Sequence, residues 1–216
     1  NIEGAIVMMG GHSAIDLAPK IQKVGVPIIG TNLEAIDICE DRDKFRHLLK
    51  QCNLKCPKGL MLKTPHDFLT LKKNLKFPVI ARPSYIIGGS FVQVFGDPQD
   101  AERFHAQLKN LPKPPFPFLA EEFLVKAKEY DCDVIRDHQG NVVIAGVMEH
   151  VEEAGIHSGD STAIFPPYYS EPSEIEMMTE AARTIVTKLN VIGLVNVQFA
   201  IQDEELFVIE VNPRAS

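Results

Sequence analysis

Apolar residues recur along this chain with two periods, and the switches between them outline its elements. Residues 4–8 are a short apolar run ending at Gly10-Gly11; Ile15, Leu17, Ala18, Ile21 and Val24 then recur at helical spacing, and a second apolar run at 26–29 precedes Gly30. Strand, glycine turn, helix and strand make a βαβ unit, whose two strands are normally parallel. Residues 41–51 place Phe45, Leu48 and Leu49 on one helical face and link this unit to the rest of the chain. From Gly59 the pattern becomes mixed. Strands are expected at 60–62, 77–82 and 91–95, with a helix opened by Thr64-Pro65-His66-Asp67 running to about Leu75 and another opened by Asp97-Pro98 ending near Lys109. Both openings combine a capping side chain, a proline at the first helical position and an acid in the first turn. The proline-rich stretch 111–117 reads as a linker or exposed loop.

A second mixed stretch begins at Phe118. Strands are expected at 118–122, 130–135 and 142–149, a turn at 137–141, a polar loop at 150–161, the longest helix at 173–189, and a closing hairpin of strands 193–201 and 206–211. Neither an internal repeat nor a low-complexity tract interrupts this order. The fold class is therefore α+β, preceded by a βαβ piece too short to be a complete doubly wound domain. The chain opens at Asn1 without an initiator methionine and stops at Ser216 just after a polar cluster, so both ends read as cuts through a longer protein.

Composition narrows the partners. The 22 Lys and Arg against 29 Asp and Glu give a net charge of −7, the wrong sign for a protein that grips nucleic-acid phosphates. No apolar run approaches the roughly 20 residues of a bilayer span, so neither nucleic acid nor membrane is an expected partner. Cys39, Cys52, Cys56 and Cys132 lack the spacing of a zinc site and read as reduced thiols of a cytoplasmic protein.

Candidate chemistry concentrates in the closing hairpin. Strand alternation puts Asn196 and Gln198 on one face, and Glu210 and Asn212 on one face of the partner strand, with Ile209 and Val211 opposite. An odd loop, Asp203-Glu204-Glu205, places Gln198 opposite Glu210 and Asn196 opposite Asn212; a two-residue loop places Gln198 opposite Ile209 and mixes the faces. The odd loop is the expectation. One carboxylate with two or three amides suits a hard cation such as Mg²⁺ that shares phosphate oxygens. A solvated sheet face is the other reading of that polarity, and Arg214 tilts the balance, because a cation beside a metal cluster fits a phosphoryl group in transfer. Arg82 ends an apolar strand before Ser84-Tyr85-Ile86-Ile87-Gly88-Gly89-Ser90, a loop able to hold phosphates, although such loops are mostly turns. Arg42 could reach a phosphate or simply belong to the charged start of its helix. The histidines and acids of 148–161 lie in a loop without helical spacing, which favours a ligand-covering loop over zinc.

Together the strings EDRDKF, FPVIARPSYIIGG, MEHVEEAGIHSGDS, NVQFA and VIEVNPRAS resemble the ATP-grasp fold, and in particular the large subunit of carbamoyl-phosphate synthetase. MEHVEEAGIHSGDS is similar to the second, carbamoyl-phosphate-forming half. The resemblance implies a pre-ATP-grasp tail at 1–36, a helical linker at 37–58, and lobes at 59–112 and 117–216 that hold ATP. It implies phosphate contacts from Arg42 and Arg82, a closing loop at Gly88 and Gly89, adenine contacts from Glu122 and Leu124, and ribose contacts from Glu129. It further implies a pocket wall at Gly155, Ile156, His157 and Ser158, and two Mg²⁺ or Mn²⁺ ions on Gln198, Glu210 and Asn212, with Glu210 bridging and also facing the nucleotide. Arg214 and Arg82 would be the catalytic cations. The implied reaction is Mg²⁺-dependent phosphorylation of carbamate by ATP, in arginine and pyrimidine biosynthesis, with a glutaminase subunit or domain as partner. Another ATP-grasp ligase or carboxylase, or a non-catalytic nucleotide-binding module, are the alternatives. Two positions depart from the family pattern: Ser90 stands where relatives carry Arg, and Gly10-Gly11-His12-Ser13-Ala14 where they read GGQTP.

Overall fold

The computed structural model describes residues 3–83, 91–152 and 161–214. They form two compact units, one of residues 3–56, 127–152 and 161–214, the other of residues 57–83 and 91–126.

The larger unit is built on a five-stranded antiparallel sheet. Its strands are β5 (Lys128–Arg136), β6 (Val142–His150), β7 (Ala163–Ile164), β8 (Gly193–Gln202) and β9 (Glu205–Asn212), in spatial order β7-β6-β5-β8-β9. One face is apolar by alternation: Tyr130, Cys132 and Val134, Val147, Val195, Val197 and Phe199, with Val208 and Val211. Against it pack α3 (Arg42–Gln51) through Phe45, Leu48 and Leu49, and α6 (Pro172–Lys188) through Met178, Ala181, Ala182, Ile185 and Val186. Each fully buried large side chain of this set contributes about 1.5–3 kcal/mol. The helix read from sequence as a link is thus part of the core. Asp41 caps it, its carboxylate accepting from the N–H groups of Asp43 and Lys44 at 3.0 Å each.

The N-terminal segment belongs to the same unit. Helix α1 (Gly11–Lys23) is followed by α2 (Leu33–Glu40), an element the apolar pattern does not reveal, capped by Asn32 accepting from Ala35 N at 2.8 Å. The two flanking strands expected there shrink to a single parallel bridge, Ala5 with Ile28. Val7, Ile15, Ala18 and Ile36 close a small core of their own.

The smaller unit carries a four-stranded antiparallel sheet of β1 (Gly59–Leu62), β2 (Val79–Pro83), β3 (Gln93–Phe95) and β4 (Phe118–Glu122), in the order β1-β4-β2-β3. Phe68 lies at the centre of its core, edge-on to Phe95, Phe104, Phe116 and Phe118 at centroid distances of 5.4–6.3 Å. Helix α5 (Pro98–Lys109) covers the sheet through Ala101, Phe104 and Leu108, and Asp97 caps it as the Asp-Pro signal predicts. The helix opened by Thr64-Pro65 is a 3₁₀ helix over Pro65–Thr70 that continues as α4 (Leu71–Asn74). Asp67 ties its start, accepting from Lys63 N at 2.7 Å and Thr64 N at 2.9 Å. Desolvation alone would raise this carboxyl's pKa; the two backbone N–H groups outweigh it and hold it below the ordinary Asp value. Asp67→Ala should therefore lower the unfolding free energy by about 1 kcal/mol in denaturant titrations near neutral pH. Because the folded-state pKa is depressed, the difference between the two proteins should fade as pH falls through it.

Among the described residues no helix is long and apolar enough to cross a membrane.

Candidate functional site

The second face of the five-stranded sheet is polar, and strand register decides which residues share it. On β5 and β8, Asp131 stands opposite Gln198 and Asp133 opposite Asn196; on β8 and β9, Gln198 stands opposite Glu210 and Asn196 opposite Asn212. The pairing expected for the hairpin is present, but the odd loop is not. Gln202 pairs with Glu205, leaving the two-residue turn Asp203-Glu204, both at positive φ (50° and 64°) as a tight type I′ hairpin demands. The register then shifts between Gln198 and Phe199: Phe199 faces Val208 and Gln198 faces Glu210, so Ile209 is a bulge residue. One extra residue reverses the parity of β9, which is how Val208 and Val211, three apart, both enter the core. Ile209, expected beside Val211 on the apolar face, is instead half-buried outside it.

Arg42 supports this bulge. Its Nη1 donates to the Ile209 carbonyl at 2.9 Å, and its guanidinium carbon lies 5.4 Å from the centre of the Phe45 ring. Arg42 is thus held one residue from Glu210 through the backbone.

The amide and carboxylate side chains of the polar face are hydrogen-bonded to one another. Asn196, 1% exposed, donates Nδ2 to Asp133 Oδ1 at 2.9 Å. Asn212 Nδ2 donates to Glu210 Oε1 at 2.8 Å. Arg214 sits just past β9, its backbone N bonded to the Asn212 carbonyl at 2.8 Å and its Nη2 donating to Asn212 Oδ1 at 3.2 Å. One carboxylate, two amides and a guanidinium therefore converge on one edge of the sheet. Amide and carboxylate oxygens are the donors a hard cation prefers, so Gln198, Glu210 and Asn212 fit Mg²⁺ or Mn²⁺ in kind. Among the described residues no three His, Cys, Asp or Glu side chains group as metal ligands, so any cation here depends on the amides.

The sequence reading passed over Asp131 and misplaced His150. Expected in a loop, His150 is the last residue of β6, buried, with Nε2 2.7 Å from Asp131 Oδ2 and Nδ1 3.8 Å from Glu129 Oε2. The Asp131 hydrogen bond raises the pKa of the ring against the opposing effect of burial. Burial would raise Asp131, but the His150 hydrogen bond and the nearby Asn196 and Gln198 amides bring it below the ordinary value. The signal was present in the spacing of Glu129, Asp131 and Asp133, three acids at period two on a strand whose other face is apolar. Two other acids nearby, Glu149 and Glu152, hold backbone N–H groups. Glu149, 3% exposed, accepts from the N–H groups of Tyr168 at 2.9 Å and Tyr169 at 2.8 Å, and Glu152 accepts from Thr162 N at 2.6 Å.

In the smaller unit, Arg82 Nη2 donates to Glu121 Oε2 at 2.8 Å, and the Glu121 side chain is 3% exposed. Glu121 was not singled out in the sequence. Its neighbour Glu122, expected to meet a nucleotide base, accepts from Lys76 N at 2.9 Å, and Leu124 follows β4, half-buried. Gly88, Gly89, Gly155, Ile156, His157 and Ser158 lie outside the described residues.

Comparison with known proteins places this geometry in a lineage. Residues 41–216 match the family model described as carbamoyl-phosphate synthase L chain, ATP binding domain. The chain is 39% identical over 213 residues to the carbamoyl phosphate synthase large chain of Myxococcus xanthus, covering 99% of this chain and 20% of that one. It is 41% identical over 214 residues to that of Thermotoga maritima, covering 99% and 19%. It thus spans about one fifth of the length of these curated relatives. Among solved structures, the biotin carboxylase domain of the Hydrogenobacter thermophilus 2-oxoglutarate carboxylase, in complex with MgADP, ADP and bicarbonate, superposes with a TM-score of 0.75 at 18% identity, covering 94% of this chain and 46% of that one. The two α+β units and the match over residues 41–216 agree: the chain belongs to the family of carbamoyl-phosphate synthase large-chain ATP-binding domains, enzymes of the ATP-grasp fold.

Proposed function

We propose that this chain binds ATP with Mg²⁺ and that its polar sheet face acts on the terminal phosphate, within an enzyme that phosphorylates carbamate to carbamoyl phosphate. The observation that carries the reading is the bulge at Ile209, which aligns Gln198, Glu210 and Asn212 on one face with Arg214 anchored to Asn212. The same bulge seats Val211 in the core, and by re-aiming Glu210 and Asn212 beside Gln198 it does what bulges do at functional strand ends.

In this reading Gln198, Glu210 and Asn212 would hold two Mg²⁺ or Mn²⁺ ions, with Glu210 also facing the nucleotide. The ions supply charge neutralisation at the transferring phosphoryl group. Arg214 stabilises the same group from the side, and a carbamate oxygen attacks the γ-phosphorus as ADP leaves, without a covalent enzyme intermediate. Arg42 and Arg82 are proposed phosphate contacts, Glu122 and Leu124 adenine contacts and Glu129 a ribose contact. Gly88, Gly89, Gly155, Ile156, His157 and Ser158 are proposed to line or cover the nucleotide. Family membership and the MEHVEEAGIHSGDS string support assignment to the carbamoyl-phosphate-forming half, with a bicarbonate-derived substrate, a glutaminase partner and a place in arginine and pyrimidine biosynthesis. Residues 1–36 are proposed as the tail of a preceding βαβ domain and 37–58 as a helical connection; of the expected lobes 59–112 and 117–216, the first is proposed to extend through β4, which pairs with β1 and β2.

The test is isothermal titration of the full chain with ATP, with Mg²⁺ and with chelator, beside a carbamoyl-phosphate assay. Metal-dependent binding and product support the reading, whereas metal-independent binding without product favours a nucleotide sensor. Arg214→Ala should separate binding from chemistry. Its guanidinium acts on charge that develops during transfer, so kcat should fall about 10²–10³-fold while ATP affinity stays within a few-fold. Equal loss of both would show that Arg214 holds the ground state.

A further inference from the structure

Two amides of β8 face two carboxylates of β5 in the same register, yet only one pair is joined. Asn196 Nδ2 bonds Asp133 Oδ1 at 2.9 Å. Two residues along, Gln198 stands opposite Asp131, whose Oδ2 is taken by His150 at 2.7 Å. Asp131 Oδ1 is buried and has no hydrogen bond of standard geometry among the described residues, although the Gln198 amide is near enough to act on its charge. A buried carboxylate oxygen without a donor costs free energy, and a donor placed directly across the strand is the natural remedy.

We propose that Asp131 is a positioning residue for Gln198: its Oδ1 takes the Gln198 side-chain N–H and so turns the Gln198 carbonyl oxygen toward the bound cation. This rests on the reading of Gln198 as a cation ligand. A neutral amide has an oxygen end that ligates and a nitrogen end that does not, and nothing in the amide itself chooses between them. The acceptor on the far side makes the choice. Asn212 is fixed differently, its nitrogen on Glu210 Oε1 and its oxygen accepting from Arg214 Nη2. His150 completes the arrangement, because by occupying Oδ2 it leaves Oδ1 as the oxygen presented to β8. Outer partners of this kind typically change metal affinity by about 10–100-fold when removed.

The test measures Mn²⁺ binding rather than turnover. Free Mn²⁺ is followed by electron paramagnetic resonance in the presence of ADP, using the full chain, with melting curves recorded for each variant. Asp131→Asn should raise the Mn²⁺ dissociation constant about tenfold or more, since its amide offers Gln198 no obligatory acceptor. In a Gln198→Glu background the ligand has two equivalent oxygens and needs no orientation, so adding Asp131→Asn should change the constant by less than about twofold. An unchanged constant in Asp131→Asn, or the same loss in both backgrounds, overturns the assignment. Should Asp131→Asn fail to fold, His150→Gln loosens the same carboxylate from its other oxygen and should weaken Mn²⁺ several-fold; no change there also overturns it. Glu210→Ala separates the two levels. If it weakens Mn²⁺ while Asp131→Asn does not, the positioning role alone is wrong; if neither does, the cation reading falls with it.

Discussion

Glu210→Ala should abolish Mg²⁺-dependent phosphoryl transfer, lowering turnover at least about 10³-fold, with ATP binding reduced to what chelator leaves in the parent protein. Glu210 is the one carboxylate of the proposed donor set, so its loss leaves two neutral amides facing a doubly charged ion. The consequence spreads through the hydrogen bonds. Asn212 loses the acceptor of its Nδ2, and Arg214, held by Asn212 Oδ1, loses a fixed anchor. Glu210→Gln should keep the shape and still lose most activity, because charge is what neutralises the phosphates. Titration of ATP with Mg²⁺ and with chelator, beside turnover, reads both effects. Full metal-dependent binding in Glu210→Ala would remove the basis of the functional reading. Global stability should change little, since Glu210 is only half-buried.

Arg82→Ala should destabilise the smaller unit by about 3 kcal/mol, a larger effect than a surface ion pair would give. The reason is its partner. Glu121 is 3% exposed on the central strand β4, whereas the Arg82 side chain is 31% exposed, so truncation withdraws the charge that balances a buried carboxylate. The lower end of the range for broken buried pairs applies because water reaches the guanidinium. The pair with apolar replacements, Arg82→Met with Glu121→Leu, should recover most of that loss, since the buried charge leaves with its partner. Nucleotide affinity should fall in both proteins if Arg82 also meets phosphate. Loss of affinity with unchanged melting in Arg82→Ala would make it a ligand contact alone; loss of stability with unchanged affinity would make it structural alone.

The hairpin illustrates how a right pairing came from a wrong turn. Counting from an odd loop aligned Gln198 with Glu210, and the chain reaches that alignment by a two-residue turn plus a bulge. Both routes have the same parity, and parity is all that a binary pattern encodes. Choosing between them required the Arg42 guanidinium, 167 positions away in sequence, to donate to the Ile209 carbonyl at the bulge. His150 failed for a related reason. Its polarity argued for a loop, and the pairing of His150 with Ala163 of β7 carries β6 one residue past Glu149, where the ring meets Asp131. Glu121 and Glu122 are adjacent, equally polar letters. One is buried on an arginine and the other accepts a backbone N–H, a distinction set by the sheet face each projects from, Glu121 sharing that of Arg82.

Local chemistry was sufficient where the physics is local. Capping at Asp97, the proline-led starts at Thr64-Pro65 and Asp97-Pro98, the alternation of β8 and the span of α6 depend on neighbours a few positions away, and each was readable. Family-specific strings added the ATP-grasp fold, which periodicity could not have distinguished from other α+β arrangements. Tertiary structure decided what depends on distant partners: the bulge at Ile209, the placement of α2, the burial of Glu121, and the Asp131–His150 pair beneath Gln198. Such groups have no preference written in their own segment, because a carboxylate or an amide takes its role from whichever partner the fold delivers to it.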